Sequence, residues 1–141
     1  MATTDALNSS LRIAGSGIEA QAERLRVISE NIANAQSTAT VPGGVPYTRH
    51  TISFEDVLDR GSGAELLKVK QIGLDPTPYR IEQDPGNPAA DANGFVRMPN
   101  VDVLVELADL REANRSYEAN LQVAKQSSDL MNQTIGLLKD V

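Results

Sequence analysis

The placement of proline constrains this chain more than any other feature. All seven prolines lie between Pro42 and Pro99, and seven of the ten glycines lie between Gly43 and Gly94. A proline inside a helix removes a backbone hydrogen bond and clashes with the preceding turn. The middle of the chain therefore cannot hold a long helix, whereas both flanks can. The chain divides into an N-terminal helix over 1–35, a loop and small β module over 36–100, and a C-terminal helix over 101–141. The expected fold class is mainly α, with two long terminal helices packed as a coiled-coil-like pair around a small, loop-rich β module.

Periodicity supports both helices. Leu11, Ile18, Leu25 and Ile32 recur every seven residues, and Ala14 and Ile28 stand three after Leu11 and Leu25. This is the a/d pattern of a helix that packs along its length against other helices. Gln21 is its one polar interruption. In the second flank Leu107, Leu110, Asn114, Tyr117, Leu121, Ala124, Ser128, Met131, Ile135 and Leu138 alternate spacings of three and four. Asn100 after Pro99 is a candidate N-cap for this helix, and Asp102 favours the positive end of its dipole. Val103, Leu104, Val105 and Leu107 make its first turns apolar over a broad arc, which calls for more than one partner.

The middle shows short β-like runs at Tyr47–Phe54, Leu66–Ile72, Tyr79–Glu82 and Phe95–Met98, separated by turn signals at Asp75-Pro76, Asp84-Pro85-Gly86 and Asn93-Gly94. The last is a favoured hairpin pair. Gln36–Pro46 is small, polar and rich in Gly and Pro, and reads as a mobile linker.

No constellation for catalysis emerges. The chain has no cysteine, which excludes disulfides, zinc-thiolate sites and thiol nucleophiles. His50 is the single histidine, and it reads as a solvated strand residue rather than a base or ligand. Gly15-Ser16-Gly17 lies inside the heptad pattern with no strand before it, so it marks close helix approach or a flexible point and not a phosphate loop. Asp91-Ala92-Asn93-Gly94 lacks the Glu that closes a calcium loop and reads as a turn. Expected cofactors, metals and catalytic residues are none. The net charge of -6 and the scattered distribution of the 13 basic residues exclude a nucleic-acid surface. Aromatics make up only 4% of the chain, so the packing rests on Leu, Ile and Ala. Two such helices either pair with each other as a simple hairpin or pair with neighbouring subunits. The surplus of apolar surface on the second favours assembly.

The segment Ser16-Gly17-Ile18-Glu19-Ala20-Gln21, followed by Arg24-Leu25-Arg26-Val27-Ile28-Ser29-Glu30-Asn31-Ile32-Ala33-Asn34-Ala35, resembles the N-terminal signature of the flagellar axial proteins of rod, hook and hook-associated type. The stretch Asp84–Val101 resembles that of proximal rod proteins. Ala113-Asn114-Arg115-Ser116-Tyr117-Glu118-Ala119-Asn120 is similar to the axial C-terminal signature. The motif positions are Asn31, Ile32, Ala33 and Asn34, then Pro99, Asn100 and Val101, then Arg115, Tyr117, Ala119 and Asn120. Gln83, Phe95 and Leu107 are mild departures.

The resemblance implies a structural subunit of the proximal rod, with no enzymatic activity and no small-molecule substrate. It implies helical assembly through the terminal helices, transmission of torque and the lining of an export channel. The implied partners are copies of the chain, other rod proteins and the flagellar type III export apparatus. The implied location is the basal-body rod crossing the periplasm, reached without a cleaved signal peptide. The alternatives are another axial rod component or a helical adaptor that does not polymerise. The expected interface is Leu11, Ile18, Leu25, Ile28 and Ile32 on the first helix. On the second it is Leu107, Leu110, Tyr117, Leu121, Ala124, Met131, Ile135 and Leu138.

Overall fold

The computed structural model describes residues 2–139. Met1, Asp140 and Val141, at the outer limits of the two expected helices, lie outside the described residues. The elements run α1 (Ala2–Ala33), β1 (His50–Leu58), β2 (Glu65–Leu74), β3 (Arg80–Gln83), β4 (Phe95–Met98) and α2 (Val103–Lys139). Two long helices flanking a small β module is the fold class expected from the prolines. β1 and β2 form one two-stranded sheet, and β3 and β4 form another. In the second, the strands are antiparallel, with Arg80 opposite Met98 and Gln83 opposite Phe95.

Two compact units result. Unit 1 comprises Met1–Arg24, Ser53–Lys70 and Glu112–Val141, and unit 2 comprises Leu25–Ile52 and Gln71–Arg111. Each unit therefore draws on helix and middle segments together, rather than following the three sequence divisions.

The helix ends have local causes. α1 stops where the Asn34 amide donates to Glu30 O at 2.9 Å and its Oδ1 accepts from Ser37 Oγ at 3.0 Å, a side chain competing with the backbone for helical partners. α2 starts two residues later than Asn100 would have it. Asp102 is the N-cap, its Oδ1 accepting from Leu104 N at 3.0 Å and Val105 N at 3.4 Å. Asn100 is instead used sideways. Its Oδ1 accepts from Arg49 N at 2.8 Å, and its amide donates to Asp75 O at 3.1 Å and Thr77 O at 3.0 Å.

Unit 2 holds a small apolar cluster of Ala89, Val96 and Met98, with Ala39 and Ala90 packed against it. Ala39 belongs to the segment expected to be a mobile linker. That segment is tied down, with Tyr47 N donating to Ser37 O at 2.9 Å, Gly43 N donating to Ala89 O at 3.3 Å, and the Arg97 guanidinium on Gly43 O. Polar, Gly-rich composition concealed these partners because they are backbone groups.

Asn93-Gly94 does form a turn, with Gly94 N donating to Asp91 O at 3.0 Å and Asp91 Oδ1 accepting from Asn93 N and Phe95 N. It is not a two-residue hairpin, since the β3–β4 connection runs from Asp84 to Gly94. Gly94 is required there. Its φ is +82°, and a Cβ would lie 2.9 Å from Pro85 Cγ.

Candidate assembly interface

In unit 1 the contacts between α1 and α2 are made by small and polar residues. Ser10 Oγ and Ser127 Oγ hydrogen-bond at 3.0 Å. Seven residues on, Gly17 lies so close to Asn120 that a Cβ would fall 2.7 Å from its Nδ2. A step of +7 in α1 matched by −7 in α2 means that the helices run antiparallel. Ala14, Ala20, Ala113 and Ser127 are buried. Gly15, by contrast, has nothing within 4 Å of a would-be Cβ, so Gly17 alone of the two glycines marks the close approach. The Arg24–Glu112 ion pair, at 3.7 Å, closes this stretch.

In unit 2 the two helices meet through a buried charge. Glu106 is 0% exposed. Its Oε1 accepts from Arg49 Nε, and its Oε2 accepts from the Asn31 amide at 3.3 Å. The Asn31 amide also donates to His50 O at 2.9 Å. Asn31 Oδ1 accepts from Tyr47 Oη and from His50 N, both at 2.8 Å. Arg49 also pairs with Asp75 at 3.0 Å, and Asp109 stands 3.9 Å away.

The charge states follow from these partners. Burial pulls Arg49 down, but hydrogen bonds and attraction from Glu106 and then Asp75 outweigh it and hold its pKa above the ordinary value. Asp75 is held below the ordinary carboxylate value, chiefly by the Thr77 backbone N–H and hydroxyl and then by Arg49. The Tyr47 phenol is pushed up by burial and by the nearby charges of Glu30 and Glu106. His50 opens β1 with its side chain 34% exposed, and it also makes contacts. Its ring lies edge-on to Tyr47 with centroids 5.2 Å apart, and its Nδ1 is 3.2 Å from Tyr47 Oη and 3.6 Å from Glu30.

The aliphatic rows stand one residue away from these contacts. On α1 the contacting positions are 10, 17 and 31, whereas the aliphatics are Leu11, Ile18, Leu25 and Ile32, all half-buried. On α2 the contacting positions are 106, 120 and 127, whereas Leu107, Leu121 and Ile135 are exposed, Leu121 by 51%. Of the other expected interface residues, Ile28 is buried, and Leu110, Tyr117, Ala124 and Met131 are half-buried. Leu138 is 71% exposed. The expected positions thus divide between the contact inside the subunit and a surface left open.

The motif positions divide in the same way. Asn31, Pro99 and Val101 are buried, Asn34 and Asn100 bind backbone as described, and Asn120 lies against Gly17. Ala33, Arg115 and Ala119 are exposed. Sequence reasoning missed Arg49, Glu106, Asp75 and Tyr47 as a network. The one available signal was a charged Glu106 inside the apolar run Val103–Leu107.

Among the described residues no group of three or more His, Cys, Asp or Glu side chains could hold a metal ion. No described helix is long and apolar enough to cross a membrane.

Comparison with known proteins decides what this helix pair belongs to. The family model "Flagella basal body rod protein" matches residues 11–39, and "Flagellar basal body rod FlgEFG protein C-terminal" matches residues 92–137. A flagellar basal-body rod protein FlgC of Agrobacterium fabrum is 58% identical, over 96% of this chain and 97% of its own. The chain belongs to the FlgC family of flagellar basal-body rod proteins. FlgC proteins of Yersinia enterocolitica and Bacillus subtilis are 45% and 36% identical, over 89% and 92% of this chain and 92% and 91% of their own. Membership in the FlgC family makes the chain a structural, non-enzymatic subunit of the flagellar basal body, assembled with other rod components. The first matched range contains Gly17 and Asn31 and the second Glu106, Asn120 and Ser127, whereas Ser10, Tyr47, Arg49, His50 and Asp75 lie outside both.

Proposed function

We propose that this subunit stacks helically into the rod through α1 and α2, with copies of itself and other rod proteins as neighbours. The helices form the axial core over 1–35 and 101–141, and the segment 36–100 braces them. In this reading the rod crosses the periplasm, transmits torque and surrounds an export channel. The subunit reaches it through the flagellar type III apparatus.

One observation carries the proposal. The heptad aliphatics Leu107, Leu121 and Ile135 are exposed because smaller residues already make the helix–helix contact inside the subunit. Exposed aliphatics on one side of a helix, here two leucines and an isoleucine with Asn114 and Ser128 between them, mark an interaction surface. Glu106 and Asn120 face α1 inside the subunit, and Leu107 and Leu121, the residues that follow them, remain for a neighbour.

Leu121→Asp tests it. Leu121 is half exposed, so the variant should fold with a thermal midpoint close to that of the parent protein. In an assembled rod the same aspartate would be an unpaired buried charge. The expected result is loss of the subunit from purified basal bodies and loss of motility. Normal rods containing Leu121→Asp would mean that this row is not the interface.

A further inference from the structure

Asn93-Gly94 carries a chemistry that rod assembly does not use. An asparagine followed by glycine deamidates without an enzyme. The Gly94 nitrogen attacks Cγ of Asn93, and a cyclic succinimide closes as the N–Cγ bond forms. The side-chain nitrogen leaves as ammonia, and the proton lost by the Gly94 amide goes with it. Water then opens the ring at one carbonyl or the other, giving aspartate or isoaspartate. Asn93 is the one asparagine of the chain that precedes glycine. Every other asparagine precedes a residue whose side chain crowds the attacking nitrogen, and Pro88, after Asn87, has no N–H to give up.

The folded turn blocks this route at its first step. Attack needs a Gly94 nitrogen that has given up its proton and is free to swing onto the side chain. That N–H donates to Asp91 O at 3.0 Å, and Gly94 O accepts from Asp84 N at 3.0 Å, so the residue is held at both ends. Its two neighbours are held as well. Asn93 N and Phe95 N donate to Asp91 Oδ1 at 2.8 Å and 3.0 Å. Asp91 N donates to Phe95 O at 2.9 Å and closes the turn. Gly94 is buried, with Pro85 against the side where a Cβ would stand. Asn93 is exposed. The amide to be attacked is thus in water, and the nitrogen that would attack it is not.

We infer that Asn93 is a site of spontaneous deamidation gated by the folding of unit 2, closed while the turn is formed and open whenever it is not. The local opening that frees Gly94 N for attack is the one that frees it for hydrogen exchange. Isoaspartate at position 93 adds one carbon to the main chain between Asp91 and Phe95. The bonds from Asn93 N, Gly94 N and Phe95 N to Asp91 then no longer fit one turn, and that turn leads into β4. Loss of ammonia makes the change permanent. The reaction therefore marks a subunit that has stayed unfolded, whatever its neighbours in an assembly.

The test uses the full-length subunit at mildly alkaline pH, folded in buffer and unfolded in guanidinium chloride. Peptide mapping follows aspartate and isoaspartate at every asparagine over time. In denaturant, position 93 should convert first. In buffer its conversion should be at least about tenfold slower, because the turn must open before the attack. Asp91→Ala removes the acceptor of Asn93 N and Phe95 N and supplies a second measurement. In parent and variant alike, deamidation in buffer should keep one ratio to hydrogen exchange at the Gly94 amide. An Asp91→Ala chain that does not fold should convert in buffer as fast as in denaturant. Equal rates for the parent in buffer and in denaturant would overturn the inference, as would earlier conversion of another asparagine. Deamidation that does not follow Gly94 exchange would overturn it too, by showing that this turn is not the gate.

Discussion

In unit 2, α1 and α2 meet across a fully buried glutamate held by Arg49 and Asn31; in unit 1 they meet across Ser10, Gly17, Asn120 and Ser127. The first contact is chemical: Glu106 needs its partners, because a charge removed from water without them is costly. The second is steric: small residues let two helices approach until hardly a methyl group fits between them. The difference separates two tasks within one helix pair. The polar lock determines which segments pair and in what register. The small-residue contact sets the helices close and leaves the large aliphatics of unit 1 outside it.

Breaking the lock should have the largest effect. Arg49→Leu strands Glu106 in a buried site, and loss of one partner of such a pair costs roughly 3–5 kcal/mol. Asn31→Leu removes four hydrogen bonds in the same network and should cost about 2–4 kcal/mol. Urea unfolding of the purified subunit measures both. The control is Arg24→Leu in unit 1, whose partner Glu112 is 68% exposed; pairs of that kind contribute roughly 0–1 kcal/mol. Equal losses for Arg49→Leu and Arg24→Leu would erase the distinction between the two regions.

The steric contact can be tested by two glycines two residues apart. Gly17→Ala forces Asn120 aside, since its new Cβ would fall 2.7 Å from the amide nitrogen. It should lower stability by about 1–3 kcal/mol through overpacking, offset in part by better helix propensity. Adding Asn120→Ala should recover most of that loss. Gly15→Ala meets nothing within 4 Å and should raise stability by roughly 0.5–1 kcal/mol. Opposite signs at positions 15 and 17 sharpen the comparison. The same sign at both would show that the helices are not held as closely as Gly17 indicates.

Much of this architecture could be read from the residues. Prolines confined to Pro42–Pro99 delimit the helices, and Asn31 and Asn120 lie in motifs that mark the family. The orientation of the helices could not be read in the same way. Heptad reasoning follows large apolar side chains and selected Leu121 and Leu107, but the contact inside the subunit uses Asn120 and Glu106, one residue earlier. Gly, Ser and Ala at a helix contact give almost no hydrophobic signal, although they permit the closest approach. The N-cap failed for a related reason. Asn100 and Asp102 are both good caps by residue type, and only the long-range demands of Arg49 N, Asp75 O and Thr77 O take Asn100 away from that role.

The smallest predicted effect concerns acid. Asp75 accepts from Thr77 N at 2.8 Å and pairs with Arg49, and these partners hold its folded pKa below the ordinary carboxylate value of about 3.9. A group whose pKa is depressed on folding binds fewer protons folded than unfolded. Its contribution is therefore complete above the unfolded value and is lost as pH falls through the folded value. Asp75→Asn removes that dependence. The variant should be slightly less stable than the parent near neutral pH, and the gap should narrow as the solution is taken below about pH 4. Urea midpoints measured across that window decide the matter. A gap that stayed constant would mean that Asp75 acts only as a hydrogen-bonding shape, and that the charge of Arg49 is balanced by Glu106 and Asp109.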